Sequence, residues 1–157
     1  VVGEGAAASW DNVRNLLVQF GGLEQFVPAG ARIREATLHL TAFSALRPDP
    51  QELHVAPVLT GWDYAAATWN QAVMGMPWSR PGGDFGVAAD SVVVNAPGVY
   101  AWDVTAIVQD WVDGAMPNFG FGLWSETQPR TTDWRFHTTE SADVMGRPEL
   151  VIVYDIP

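Results

Sequence analysis

Hydrophobic and polar residues alternate along short stretches of this chain, and turn residues break the stretches at close intervals. In residues 34–43, Ala36, Leu38, Leu40 and Ala42 share one side, while Glu35, Thr37, His39 and Thr41 take the other. Side chains of an extended strand point alternately to opposite faces, so this is the pattern of a strand with one face in a core. Residues 14–20 bring Leu16, Val18 and Phe20 together in the same way. Further strands are expected at 51–59, 91–95, 99–103, 118–125, 132–137 and 149–154. The 15 Gly and 11 Pro are dispersed between them and not pooled in a linker. Many short strands with frequent turns indicate an all-β chain folded as a jelly-roll-like β-sandwich. One segment has a different period: Val104, Ile107, Val108, Trp111 and Val112 recur at steps of three and four. That spacing predicts a single short α-helix over 105–113, plugging one end of the sandwich. Asp103 or Thr105 can cap its start, and Gly114 suits the left-handed residue beyond its end. Residues 60–90 show neither period, and a stretch of that length is usually functional or holds structure of its own.

Composition narrows the classes of function. With 157 residues and 48% hydrophobic content, the chain can bury one real core, so residues 1–157 are expected to form a single domain. No apolar run approaches the roughly 20 residues that span a bilayer, so membrane insertion is not expected. The net charge is -10, and all eight basic residues are Arg. Such a surface lacks the basic footprint of nucleic-acid binding and repels acidic polymers. With no Cys, disulfides, thiol catalysis and Cys-bearing zinc sites are excluded. His39, His54 and His137 are scattered and match no metal-binding spacing. No cofactor is expected, although a structural Ca²⁺ on the acidic loops around Asp49 or Asp84 stays open. Glycoside hydrolysis needs two carboxyls about 5–10 Å apart, and nothing in the spacing of the 18 acidic residues singles out a pair. No Gly-x-Ser-x-Gly elbow is present either, so no catalytic residue is assigned and an enzyme is not expected.

The eight Trp stand out. Sugar rings stack their C–H faces on exposed aromatic rings, whereas a buried Trp fills a core and finds a carbonyl for its N–H. Trp102 shares a face with Tyr100 and Val104, and Trp134 with Phe136, which reads as core for both. Trp124 differs, because Gly120 and Gly122 lie on its face and Phe119, Phe121 and Leu123 lie opposite. Two glycines beside a Trp leave a shallow groove where a ring can lie flat; glycines packed under a loop give the same pattern. The following strand puts Arg135 and His137 outward, so Trp124, Arg135 and His137 form the leading candidate sugar platform. Trp78, with Arg80 and Asp84, and Trp10, with Asp11, come second.

Ordered motifs run through the whole chain: Arg14-Asn15-Leu16-Leu17-Val18-Gln19-Phe20, Glu35-Ala36-Thr37-Leu38-His39-Leu40, Gly61-Trp62-Asp63, Ala67-Thr68-Trp69-Asn70, Trp102-Asp103-Val104-Thr105, Asn118-Phe119-Gly120-Phe121-Gly122-Leu123 and Arg147-Pro148-Glu149-Leu150. In these the sequence resembles DNRLRE domains, a group similar to the family 96 carbohydrate-binding modules and the disaggregatase-related repeats. The resemblance implies a secreted β-sandwich accessory module, with Trp69 and Trp111 in framework motifs alongside Trp102, Trp134 and Asp103. Family members usually carry one more N-terminal strand, before the segment that resembles Val1-Val2-Gly3, and this sequence starts after it. An open sheet edge near Val1 is therefore expected. The expected function is non-catalytic binding of a glycan, neutral in preference given the charge, outside the cell or at its surface. An alternative is a structural subunit of a surface fibre or adhesin that assembles by strand addition at the open edge. A third, weaker alternative is a small polysaccharide lyase or glycoside hydrolase.

Overall fold

Alternation with one apolar face requires each sheet to bury that face against another layer, and two antiparallel sheets do so here. A computed structural model of the chain describes residues 15–45, 49–126 and 134–156. Its strands, in chain order, begin with β1 (Leu16–Val18), β2 (Arg32–Ala45), β3 (Gln51–Pro57), β4 (Gln71–Val73) and β5 (Met76–Pro77). They continue with β6 (Asp90–Val94), β7 (Gly98–Asp103), β8 (Phe121–Trp124), β9 (Trp134–Phe136) and β10 (Glu149–Asp155), and one helix, α1 (Thr105–Val112), follows β7. The front sheet has the order β1-β8-β3-β6 and the back sheet β10-β2-β7, with β9 also on β2. The fold class is thus an all-β sandwich with one short helix, as the alternation and the family resemblance both indicate. Val1 and the expected edge beside it lie outside the described residues.

The inward parity read for β2 holds, since Ala36, Leu38, Leu40 and Ala42 are all fully buried. They meet Val55, Phe121 and Leu123 of the front sheet in the main core. Trp102 crosses between the layers: it is wholly buried, and its indole N–H donates to the Leu53 carbonyl at 2.9 Å. At the start of β2 the inward residues are Ile33 and Ala36, an odd step. The register shift opposite Val153 and Tyr154 accounts for it, leaving Arg34 as the extra, bulged residue. Arg34 extends outward to Asp155 at 2.7 Å.

Helix α1 buries Ile107, Val108 and Trp111 and lays the Trp111 ring 4.8 Å from that of Phe121. The Asp103 carboxylate accepts the Thr105 N–H at 2.9 Å and the Thr105 hydroxyl at 2.6 Å. Those hydrogen bonds hold the Asp103 carboxyl below the usual carboxylate range, against a smaller upward push from burial. The helix also ties itself to the back sheet. The Ala36 N–H donates to the Thr105 hydroxyl, and the Val104 N–H donates to the Ala36 carbonyl, both at 2.9 Å. Gln109 accepts the Ile33 N–H at 2.8 Å and donates to the Ala31 carbonyl at 3.2 Å. No helix among the described residues is long and apolar enough to cross a membrane.

Residues 60–90 hold structure of their own, including the β4–β5 hairpin. They fold across the outer face of the front sheet and enclose a second, small core of Val58, Ala72 and Trp78, against which Leu17, Trp62 and Phe85 pack.

Candidate functional site

In β8, Phe121 and Leu123 fill the main core, so strand alternation turns Gly122 and Trp124 outward. Register places His54 of β3 directly beside Trp124, and Ala56 beside Gly122. Ser91 of β6 lies on the far side of His54. The Trp124 and His54 rings stack at 5.5 Å between centroids, and the Phe85 ring stacks on Trp124 at 5.3 Å. Phe85, Trp124 and His54 form a half-exposed aromatic row, bordered by Glu52, which accepts the Ser91 hydroxyl at 2.7 Å.

Phe85 settles what lies in the groove expected beside Trp124. A Cβ at Gly122 would collide with the Phe85 ring, so the ring occupying that hollow belongs to the chain itself. Gly120, the other glycine of the expected groove, is pressed against Val18 at the end of β1 and Gln19 just beyond it and lines no hollow. Phe85 is pinned by its bridge to Val58 and by two flanking backbone bonds, Leu59 N–H to Asp84 carbonyl and Gly86 N–H to Pro57 carbonyl. The turn before it is held by the Asp84 carboxylate, which accepts the Thr60 hydroxyl at 2.7 Å and the Ser79 and Arg80 N–H groups, each at 3.1 Å. Burial pushes the Asp84 carboxyl up, but these donors together outweigh it and hold it below the ordinary range.

Other expected site residues fall elsewhere. Trp78 offers no face to a ligand: it is 5% exposed and its indole N–H donates to the Thr68 carbonyl at 2.8 Å. It is a core residue of the loop cover. Trp69, assigned to the framework, is instead the exposed Trp among the described residues, at 38%. Its carbonyl accepts the Gly82 N–H, and a Cβ at Gly82 would stand 2.6 Å from its ring. Trp102, Trp111 and Trp134 are buried, the Trp134 indole donating to the Asp49 carbonyl at 3.0 Å. Trp10 lies outside the described residues.

The grouping of Trp124 with Arg135 and His137 is not formed. β9 pairs with β2 in the back sheet and not with β8, so Arg135 and His137 belong to the opposite side of the sandwich from Trp124. Arg135 is exposed there. His137 packs on Phe43 at 4.6 Å between rings and covers Gly146. Its Nδ1 lies 2.7 Å from the Ser141 hydroxyl, and its Nε2 lies 3.8 Å from Asp143. This Ser, His and Asp set has the residue types of a hydrolase triad, yet its atoms close a turn. The Ser141 hydroxyl accepts the Asp143 N–H, and the Asp143 carboxylate accepts the Met145 N–H. Asp84 and Asp103 both shift downward, the wrong direction for the general acid of glycoside hydrolysis. Among the described residues, no three His, Asp or Glu side chains gather closely enough to hold a metal ion.

His54 and Phe85 are the residues that sequence reasoning passed over. His54 was legible, because Leu53 and Val55 inward put it outward beside its neighbours. Phe85 follows a Gly-Gly turn in a segment without period, and no local signal aims it at Gly122. With that geometry in place, the profile of carbohydrate-binding module family 96 matches residues 4–154. No curated protein matches the chain.

Proposed function

The chain belongs to carbohydrate-binding module family 96, and we propose that it binds glycan without catalysis through the outer face of its front sheet. The observation that carries this reading is the half-exposed row of Phe85, Trp124 and His54, with Glu52 and Ser91 at its border. Aromatic rings take the C–H faces of pyranoses, while a carboxylate and a hydroxyl bond their hydroxyls. A net charge of -10 favours a neutral or basic glycan over an anionic one. The module would act outside the cell, as the accessory part of a larger secreted or surface protein. Glycan-array binding by the wild type, abolished in Trp124→Ala with an unchanged circular-dichroism spectrum, is the expected result. Full binding by that variant would remove the site from this face, and an array with no signal for the wild type would sink the reading altogether.

A second reading, self-association by strand addition, is favoured by one observation. Among the described residues β10 ends the back sheet, and beside it opens an apolar cleft of about 310 Å³ lined by Phe20, Leu23, Val27, Leu150, Ile152 and Tyr154. The occupant would be an extended strand of a second copy, pairing along β10 and setting alternate apolar side chains into the cleft. Sedimentation at micromolar concentration should then detect a dimer; a strict monomer refutes it.

A further inference from the structure

The aromatic row does not stop at Phe85. Gly82 and Gly83 lie in the left-handed half of backbone space, at φ 98° and 121°, where a side chain is strained. A Cβ on Gly82 would stand 2.6 Å from the Trp69 ring, and one on Gly83 would stand 2.7 Å from the Phe85 ring. The diglycine turn therefore holds two rings near one another, Trp69 against Gly82, which is itself buried, and Phe85 against Gly83. The Asn15 carboxamide N–H donates to the Gly82 carbonyl at 2.8 Å and anchors the turn to the front sheet just before β1. Contacts run without a break from Trp69 over Gly82 and Gly83 to Phe85, Trp124 and His54.

The two ends of this path differ in how their rings are used. Phe85, Trp124 and His54 spend part of their faces on one another. Trp69 stacks on no other ring among the described residues and is 38% exposed. Its exposed surface is free to take one more sugar ring beside those held at the row. We infer that the binding surface extends from the Trp124 row past the Gly82–Gly83 turn to Trp69, so that the module holds an internal stretch of a polysaccharide over several sugar positions. Trp69 supplies the outer position. This rests on the glycan-binding reading above and adds the length and direction of the ligand.

Calorimetry with cello-, manno- and chito-oligosaccharides of two and six residues tests it. For a series that binds, the hexasaccharide should bind at least roughly tenfold tighter than the disaccharide, the gain expected from one further stacked ring. Trp69→Ala should reduce hexasaccharide affinity by about tenfold, to near the disaccharide level. Trp69→Tyr should restore most of the loss, which a merely structural role would not. Trp124→Ala should weaken both lengths. Equal affinities for the two lengths, or a Trp69→Ala protein that still binds the hexasaccharide fully, overturns the extension while leaving the Trp124 site standing. No binding of any of the six oligosaccharides by the wild type overturns the extension and the site together.

Discussion

The two outer faces of the sandwich start from the same strand alternation and end differently. On the front sheet, residues 60–90 fold over Leu17, Ala56 and Gly122 and build a second core around Trp78. On the back sheet, Thr37, Thr41, Val99, Ala101, Val151 and Val153 alternate outward and remain partly or largely exposed. The back face is the ordinary solvated side of an antiparallel sheet. The front face shows that two sheets alone do not make the aromatic row. It takes a glycine in the strand, a ring delivered from a distant loop, and a turn held tightly enough to aim that ring.

The sharpest way to break the contrast is to remove the cover. Trp78→Ala deletes a buried indole and should cost about 3–5 kcal/mol within the loop core. Hydrogen exchange should show the amides of 60–90 losing protection while those of β2 keep theirs. Equal loss in β2 would mean that cover and sandwich unfold as one unit. Next comes Gly122→Ala, whose new methyl must displace Phe85; overpacking of this kind costs about 1–3 kcal/mol. Thermal melting should record the loss, and Trp124 fluorescence should shift as its neighbouring ring moves away. An unchanged spectrum would mean that Phe85 does not lie over Gly122.

Acid gives a smaller effect, at Asp84 on the front and at Asp103 before the helix. The Asp84 carboxyl is more acidic in the folded chain than unfolded. Its hydrogen bonds therefore stabilise the turn fully above the ordinary carboxyl range, near about pH 4, and that contribution is lost as the pH falls through the lower folded value. Trp fluorescence followed on acidification should report loosening of the cover, and Asp84→Asn should remove that step. A titration identical in the variant would assign the acid response to other groups. The smallest change is expected on the bare side, where Thr41→Val should move stability by no more than about 0.5 kcal/mol in chemical denaturation. A larger loss would show that the back face is not simply solvated.

Reading the sequence went furthest where residues repeat with a period. The inward side of β2, the helix on Ile107, Val108 and Trp111, and the outward turn of Trp124 all follow from spacing. Alternation fixes a side chain's face; it does not fix the sheet its strand joins. Arg135 and His137 were assigned beside Trp124 for that reason, while β9 pairs with β2. In 60–90 there is no period and hence no face to read, so the exposures of Trp69 and Trp78 came out reversed. The glycine at 122 was legible as room for a ring. That the ring is Phe85 depends on how a long segment packs, which no local pattern encodes.

The side chains of α1 that reach the start of β2 have a consequence for self-assembly. β7 pairs with β2 only from Thr37 to Ala42. Before that point the neighbouring strand has become a helix, which would ordinarily leave a run of bare amides and carbonyls. Thr105 takes the Ala36 amide, and Gln109 takes the Ile33 amide and the Ala31 carbonyl. Hydroxyl and carboxamide thus stand in for the missing strand, and a strand arriving from another molecule finds that stretch of ladder already filled. The helix that plugs the sandwich thus closes this stretch of the β2 edge to strand addition.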